Sequence, residues 1–287
     1  MDVSVVVPVF NGENSIEEIF NKVNDAIGSQ LSFEYILVHD GGSQKSWGII
    51  DDIANKNKEV IRGFRLARNY GQHKAIIFGI HKSKGDFIVT LDDDLQHDPK
   101  YIPLMIETQK QTGADVVYAY YHDIKQPFIR RIASQILRKL LVRVIPGIYP
   151  FYSPYRLIKK EIGVRMVSTR SVCVFIDAII AQLTTSMKSI VIEHKPRNGG
   201  NSSYSNFRLL KHVFNILNCF SSLREYNLII ALIMVVASFS MYIVSQSCFM
   251  VFGIIAAFLL GLWMFAFICY TIERRKNCFP ETLVSVG

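Results

Sequence analysis

GFRLARNYGQHKAIIFGIHKSKGDFIVTLDDDLQHDP, residues 63–99, holds the pattern from which the fold is read. Gly63 to Leu66 has the composition of a short strand, Gln72 to Lys82 that of a helix, and Phe87 to Leu91 (FIVTL) is a β-branched run ending at three aspartates. Two strands joined through a helix are the unit of a parallel sheet. The same alternation continues toward the N-terminus. Val3 to Val9 (VSVVVPV) is a strand that ends at the turn-like Asn11-Gly12, and residues 14–27 place Ile16, Ile19, Phe20, Val23 and Ile27 at helical spacing. Tyr35 to Val38 is a strand followed by the turn His39-Asp40-Gly41-Gly42, and Ile49 to Ala54 is helical. Downstream, Asp115 to Tyr120 forms a further strand. The pattern predicts a mainly parallel, helix-flanked α/β sheet. In such sheets ligands bind outside the carboxyl ends of the strands, here just after Val9, Val38 and Leu91.

Asp92-Asp93-Asp94 stands at one of those ends. Three consecutive carboxylates repel one another and call for a cation. Asp92 and Asp94 are two apart, so the turn after the strand brings both to one divalent ion, and hard oxygen donors suit Mg²⁺ or Mn²⁺. Such an ion would also bridge a nucleotide diphosphate and act as a Lewis acid on the departing group.

The last third of the chain has a different composition. Asn227 to Val244 (NLIIALIMVVASFSMYIV) and Cys248 to Ile272 contain no charged residue. Each is long enough to cross a hydrocarbon core of roughly 30 Å as a helix. Lys211 and Arg224 precede the first run, Arg274, Arg275 and Lys276 follow the second, and the connecting loop has neither Lys nor Arg. The positive-inside tendency puts both flanks in the cytoplasm and makes the pair a transmembrane hairpin. Between the halves, Phe207, Leu210, Phe214 and Leu217 recur at helical spacing, as in an amphipathic helix lying in the membrane interface. The expected organisation is a catalytic domain over 1–205, a juxtamembrane helix over 206–226, two spans over 227–272 and a cytoplasmic tail over 273–287. Met1 runs straight into strand-like sequence without a signal-peptide pattern, so the first half is expected in the cytoplasm, at the inner membrane.

The formal charge of the 287 residues is +8, from 32 Lys+Arg and 24 Asp+Glu, which suits a membrane surface or a phosphate-bearing partner. Nucleic acid is set aside as a partner, because no basic run alternates with aromatics. The five cysteines have no paired spacing and fit small apolar residues in a reducing compartment.

The R-N-Y-G-Q-H segment at residues 68–73, the Gly85-Asp86 before FIVTL, and the loop D-x-D-L-Q-x-x-P after it resemble the family-2 glycosyltransferases that act on polyprenyl phosphates. These include dolichol-phosphate mannose synthases, bactoprenol glucosyltransferases and, most similar, undecaprenyl-phosphate 4-deoxy-4-formamido-arabinose transferases. The resemblance implies a GT-A type nucleotide-sugar-binding domain, a nucleotide-sugar donor (UDP-linked over GDP-linked), a polyprenyl phosphate acceptor, Mg²⁺ or Mn²⁺, and a homo-oligomer such as a tetramer. It implies catalytic roles for Asp92, Asp94, Gln96 and Arg131, with the metal on Asp92 and Asp94. Pro8, Asn11, Glu13, Asp40, Arg68, Gln72 and Asp93 would line the nucleotide-sugar. Arg130, Arg197, Ser202 and Tyr204 would face the lipid phosphate or the diphosphate, where guanidinium forks suit phosphate oxygens. Of the histidines near the expected site, His39, His73, His81 and His97, packing or polar contacts are expected rather than metal ligation, and His73 belongs to the matched motif.

Three positions depart from the family pattern. His39-Asp40-Gly41-Gly42 replaces D-D-G-S. Pro150 stands where relatives have the aspartate of a G-D-F or G-D-Y-G segment, ahead of Arg156. Ser203 replaces a lysine. These changes motivate an alternative, a degenerate relative that binds nucleotide-sugar or serves an active subunit. A processive polysaccharide synthase is disfavoured, since the chain has no Q-x-x-R-W segment.

Overall fold

The structure is a computed structural model, and it describes residues 1–11, 13, 15–121, 138–139, 141–143, 145–169 and 175–193. The interface helix and both expected spans lie outside these residues, as do Arg130, Arg131, Arg197, Ser202, Ser203 and Tyr204. Among the described residues no helix is long and apolar enough to cross a membrane.

Seven strands form one sheet. β1 (Val3–Val9), β2 (Phe33–His39), β3 (Ile61–Arg65) and β4 (Phe87–Thr90) alternate with helices α1 (Ile16–Ile27), α2 (Gln44–Lys56) and α3 (Gln72–Lys82). A 3-10 turn (Pro99–Tyr101) and α4 (Ile102–Thr112) lead to β5 (Val116–Tyr121), then β6 (Arg156–Lys159), α5 (Lys160–Ser168), α6 (Ile176–Leu183) and β7 (Met187–Ile192). The spatial order is β3-β2-β1-β4-β6-β5-β7. β1 pairs in parallel with β2 and β4, β2 with β3, and β5 with β7. β6 is antiparallel to both of its neighbours. The mainly parallel sheet is thus a mixed one, with one reversed strand inserted between β4 and β5.

The alternation of side chains sorts two apolar layers. Val3, Val5, Val7 and Val9 join α1, α4 and Ile50 of α2 on one face, while Val6, Ile36, Val38 and Phe64 join α3, α5 and α6 on the other. With burial at roughly 25 cal/mol per Å² of apolar surface, these two layers are the main source of stability. α3 comes close to β1 because of Gly79, where an added Cβ would lie 2.3 Å from Val6 Cγ1.

Most expected elements are present, with shifted ends. Helix α2 begins at Gln44 rather than Ile49, because Ser43 caps it by accepting from the Ser46 N–H at 3.1 Å. α1 starts at Ile16 rather than residue 14. Strands β6 and β7 and helices α4, α5 and α6 were not foreseen in the sequence. β6 has four residues with a buried arginine among them, and β7 shows the irregular burial of a strand at the sheet edge.

Candidate functional site

Strand order places a crevice between β1 and β4. Their register runs from Val3↔Phe87 to Val6↔Thr90 and then stops, although β1 continues to Val9. Pro8 sits beyond the last β1–β4 pair, opposite Val38 of β2, where the missing N–H removes no ladder bond toward β4. Chain direction switches sides at this point: β2 follows on one flank of β1 and β4 lies on the other. A sheet of this kind binds ligands at such a place.

Four loops meet there. After β1, the Phe10 N–H lies 3.4 Å from Asp93 Oδ2, and the Ser15 hydroxyl donates to the Asp93 carbonyl. Asn11 Oδ1 accepts from the Ser43 N–H at 3.1 Å. Glu13 accepts from the Ser43 hydroxyl at 2.5 Å and pairs with Lys45 at 3.1 Å. Gly42 lets this loop pass, since a Cβ there would lie 1.3 Å from the Phe10 carbonyl oxygen. After β2, Asp40 accepts from the Tyr70 N–H at 2.7 Å and the Gly71 N–H at 2.8 Å. Asp40 therefore anchors the loop ahead of α3 with both oxygens, and burial against these two bonds leaves its carboxyl raised to about 6. Arg68 is exposed and its guanidinium lies 5.0 Å from the centre of the Tyr70 ring.

The fourth loop carries the three aspartates. Gln72, the first residue of α3, donates from Nε2 to Asp92 Oδ1. Asp94 Oδ1 accepts from the Gln96 N–H at 3.1 Å, closing a tight turn in which Leu95 takes φ +63°. That left-handed backbone is unusual for a branched residue and marks a constrained turn. The Gln96 carbonyl in turn accepts from the Tyr121 hydroxyl at 2.7 Å. Asp92 has its carboxyl pushed up to about 7, by burial first and then by the Asp94 charge, against the opposing pull of Arg156 and Gln72. Asp93 is raised to about 6, by burial and by its two aspartate neighbours, and the Phe10 N–H opposes the shift. The Asp92 N–H lies 3.1 Å from His97 Nδ1. Burial lowers the His97 pKa to about 4, so the ring is neutral near pH 7 and its Nδ1 accepts this bond. His97 supports the loop through this bond, one of the packing or polar contacts expected of it.

The expected residues in the described part thus divide by position. Asn11, Glu13, Asp40, Arg68, Asp92, Asp93, Asp94 and Gln96 belong to the loops at the carboxyl end of the parallel strands, Gln72 opens α3 beside them, and Pro8 lies within β1. His39 ends β2 in a buried position, with Nε2 3.2 Å from the Ser43 carbonyl oxygen and 3.0 Å from Ser46 Oγ, and it steadies the start of α2. Arg156 on β6 and Asp177 on α6, both buried behind the site, were given no role in the sequence reading; the aspartate inside an otherwise apolar IDAII run was the signal available.

Among the described residues no three His, Cys, Asp or Glu side chains form a closed metal cage. Two part-buried carboxylates on one turn, close enough that the Asp94 charge acts on Asp92, are nonetheless the donor set of a Mg²⁺ or Mn²⁺ site completed by substrate phosphates. Asp92 and Asp94 fit that description.

Comparison with known proteins agrees with this geometry. The family described as Glycosyl transferase family 2 matches residues 4–175. An undecaprenyl-phosphate 4-deoxy-4-formamido-L-arabinose transferase of Pseudomonas fluorescens (strain SBW25) is 32% identical over 223 residues, covering 77% of this chain and 65% of the relative. The transferase of the same name from Edwardsiella ictaluri (strain 93-146) is 31% identical over 224 residues, covering 77% of this chain and 68% of the relative. The match therefore spans about two thirds of the length of these relatives. In fold, the chain is similar to glucosyl-3-phosphoglycerate synthase from Mycobacterium tuberculosis in complex with Mn²⁺, UDP-glucose and phosphoglyceric acid, with TM-score 0.55, 15% identity, and 75% and 77% of the two chains covered. S. aureus TarS with UDP-GlcNAc gives TM-score 0.51 at 16% identity, over 76% of this chain and 65% of the other. The α/β arrangement is GT-A-like, and the chain belongs to glycosyl transferase family 2.

Proposed function

We propose that this chain transfers a sugar from a nucleotide-diphospho-sugar, uridine-linked, to undecaprenyl or another polyprenyl phosphate, inverting the donor linkage at the cytoplasmic face of the membrane. The observation that carries this reading is the pair Asp92 and Asp94, held at the β1–β4 crevice by Gln72, His97 and the Leu95 turn. The names of the relatives point to the acceptor, and the UDP-sugar complexes of the fold neighbours point to the donor.

Mg²⁺ or Mn²⁺ on Asp92 and Asp94, when bound, would supply charge neutralisation for the leaving diphosphate. The remaining roles fall to side chains. The Asn11, Glu13 and Ser43 cluster builds the wall beside Phe10, and Asp40 holds the Arg68–Gly71 loop so that Gln72 meets Asp92. A phosphate acceptor is anionic near neutral pH and needs no strong general base, which suits a site whose carboxylates are already committed to the loop and the cation. Positioning of the two substrates supplies much of the rate. Arg130, Arg131, Arg197, Ser202 and Tyr204 are assigned to the phosphates on the family resemblance, and the apolar runs 227–244 and 248–272 to membrane anchoring.

The test uses full-length protein in detergent with undecaprenyl phosphate, Mn²⁺ or Mg²⁺ and a panel of UDP- and GDP-sugars, with products followed by mass spectrometry. A lipid-phosphate-sugar formed from one donor, dependent on metal and lost in Asp94→Ala, establishes the reaction and names the sugar. Nucleotide binding without product from any donor would make the protein an accessory or degenerate member.

A further inference from the structure

Behind the aspartate loop lies a second charge cluster that belongs to neither the crevice nor the surface. Arg156 starts β6, opposite Thr90 of β4 on one side and Tyr118 of β5 on the other, and is 1% exposed. Its Nε donates to the Ser153 carbonyl at 3.0 Å, and its Nη1 stands 3.4 Å from Asp177 Oδ1. Asp177 is 3% exposed in the first turn of α6, with the Tyr118 hydroxyl beside its carboxylate. A guanidinium buried this deeply is tolerated only with a counter-charge, and removing the partner strands it.

The pair reaches the crevice by two routes. The Arg156 charge acts directly on Asp92 and His97. The chain just before Arg156 is fastened to both ends of the aspartate loop: Thr90 Oγ1 donates to the Pro154 carbonyl at 2.6 Å, and the Tyr155 hydroxyl to the Asp98 carbonyl at 3.0 Å. No carboxylate from residues 145–155 is available to Arg156, because that stretch contains none.

Resting on the reading of function given above, we infer that Asp177 is a positioning residue for sugar transfer, supplying from α6 the counter-charge for Arg156 that the Pro150 segment lacks. Through Arg156 it sets the 149–155 segment against the Asp92–Asp98 loop. At 3% exposure it does not touch substrate, so its loss should fall on turnover rather than on donor binding.

Asp177→Asn keeps the volume and removes the charge. We expect a folded protein with kcat reduced about tenfold or more and donor KM within about threefold of wild type, since small displacements of a site tell mainly on the transition state. Asp177→Glu should recover part of the loss. Arg156→Met combined with Asp177→Asn should be no slower than the slower single variant, because two residues acting as a unit are not additive. Hydrogen exchange on the full chain, without substrate, should quicken in Asp177→Asn within residues 149–156 and 91–98. Wild-type kcat in Asp177→Asn, a loss carried by KM, or a double variant as slow as the product of the singles would overturn the assignment. A wild type that makes no lipid-linked sugar would sink the reading of function instead; unchanged exchange in the two segments would then still refute the positioning role, and quickened exchange would uphold it.

Discussion

Strands β3-β2-β1-β4 run parallel and keep their interiors apolar over most of their length, with the polar residues of the site at their carboxyl ends, whereas β6-β5-β7 includes the one reversed strand, β6, and buries Arg156 and Tyr118, with Asp177 of α6, behind the site. The first half uses many backbone donors: loops at the strand ends are tied by N–H groups to Asp40, Asp93 and Asp94, with Gln72 and Ser43 adding side-chain bonds. The second half works by side chains, through hydroxyls of Tyr121 and Tyr155 that hold the aspartate loop from the far side. The difference teaches where each kind of variant should act. Changes in the parallel half should tell on substrate and metal, and changes in the mixed half on the geometry of the loop.

The largest effect is expected at the end of β4. Asp94→Ala should lower kcat/KM on the order of a thousandfold, the several kcal/mol that a metal-held leaving group represents, in a protein of unchanged far-UV circular dichroism. Activity surviving within tenfold would break the comparison, because the parallel half would then not hold the chemistry. Gln72→Ala should follow with a loss of about tenfold to a hundredfold and a raised metal requirement, as expected for a group that orients a ligand; titration of activity with Mn²⁺ reads it.

Gly79→Ala addresses packing alone. The new methyl group meets Val6, so denaturant unfolding should show about 1–3 kcal/mol lost with little change in donor KM. Tyr121→Phe removes one bond across the two halves and should cost about 1 kcal/mol in the same experiment. A Tyr121→Phe loss equal to or above that of Gly79→Ala would show that the halves depend on each other more than the hydrogen bonds indicate.

The smallest effect concerns pH. Asp92 is raised from 3.8 to about 7 in the folded protein, so its stabilising contribution is full below about 4 and is lost as pH rises through about 7. Metal-free protein should therefore lose stability over that window, while a bound divalent ion offsets the loss. The melting-temperature gain from Mn²⁺ should be near zero at about pH 5 and a few degrees at about pH 8. An equal gain at both values would contradict the assignment of the ion to Asp92.

Much of the parallel half was legible because its determinants are local. Val3–Val9, Gln72–Lys82 and Phe87–Leu91 carry their periodicity within a few residues, and Asp92-Asp93-Asp94 announces itself by composition. Even there the start of α2 was missed, since Ser43 acts through a cap rather than through apolar spacing. The mixed half hides its determinants. β6 has four residues, of which the first is charged, and β7 lies at an edge, so neither offers the run that marks a strand.

What the sequence determined by itself was the α/β class and the carboxyl ends of β1, β2 and β4 as the place where the polar loops gather, and it nominated the aspartate pair proposed above as the metal site. These follow from short-range pattern, which the chain displays in one dimension. Only the tertiary structure decided that Asp40 serves a loop, that His97 accepts from the Asp92 N–H, and that Arg156 and Asp177 form a buried pair. The bonds that frame the site join residues up to 83 positions apart along the chain. Their proximity is set by sheet order, and a buried charge discloses its purpose only when its counter-charge is seen beside it.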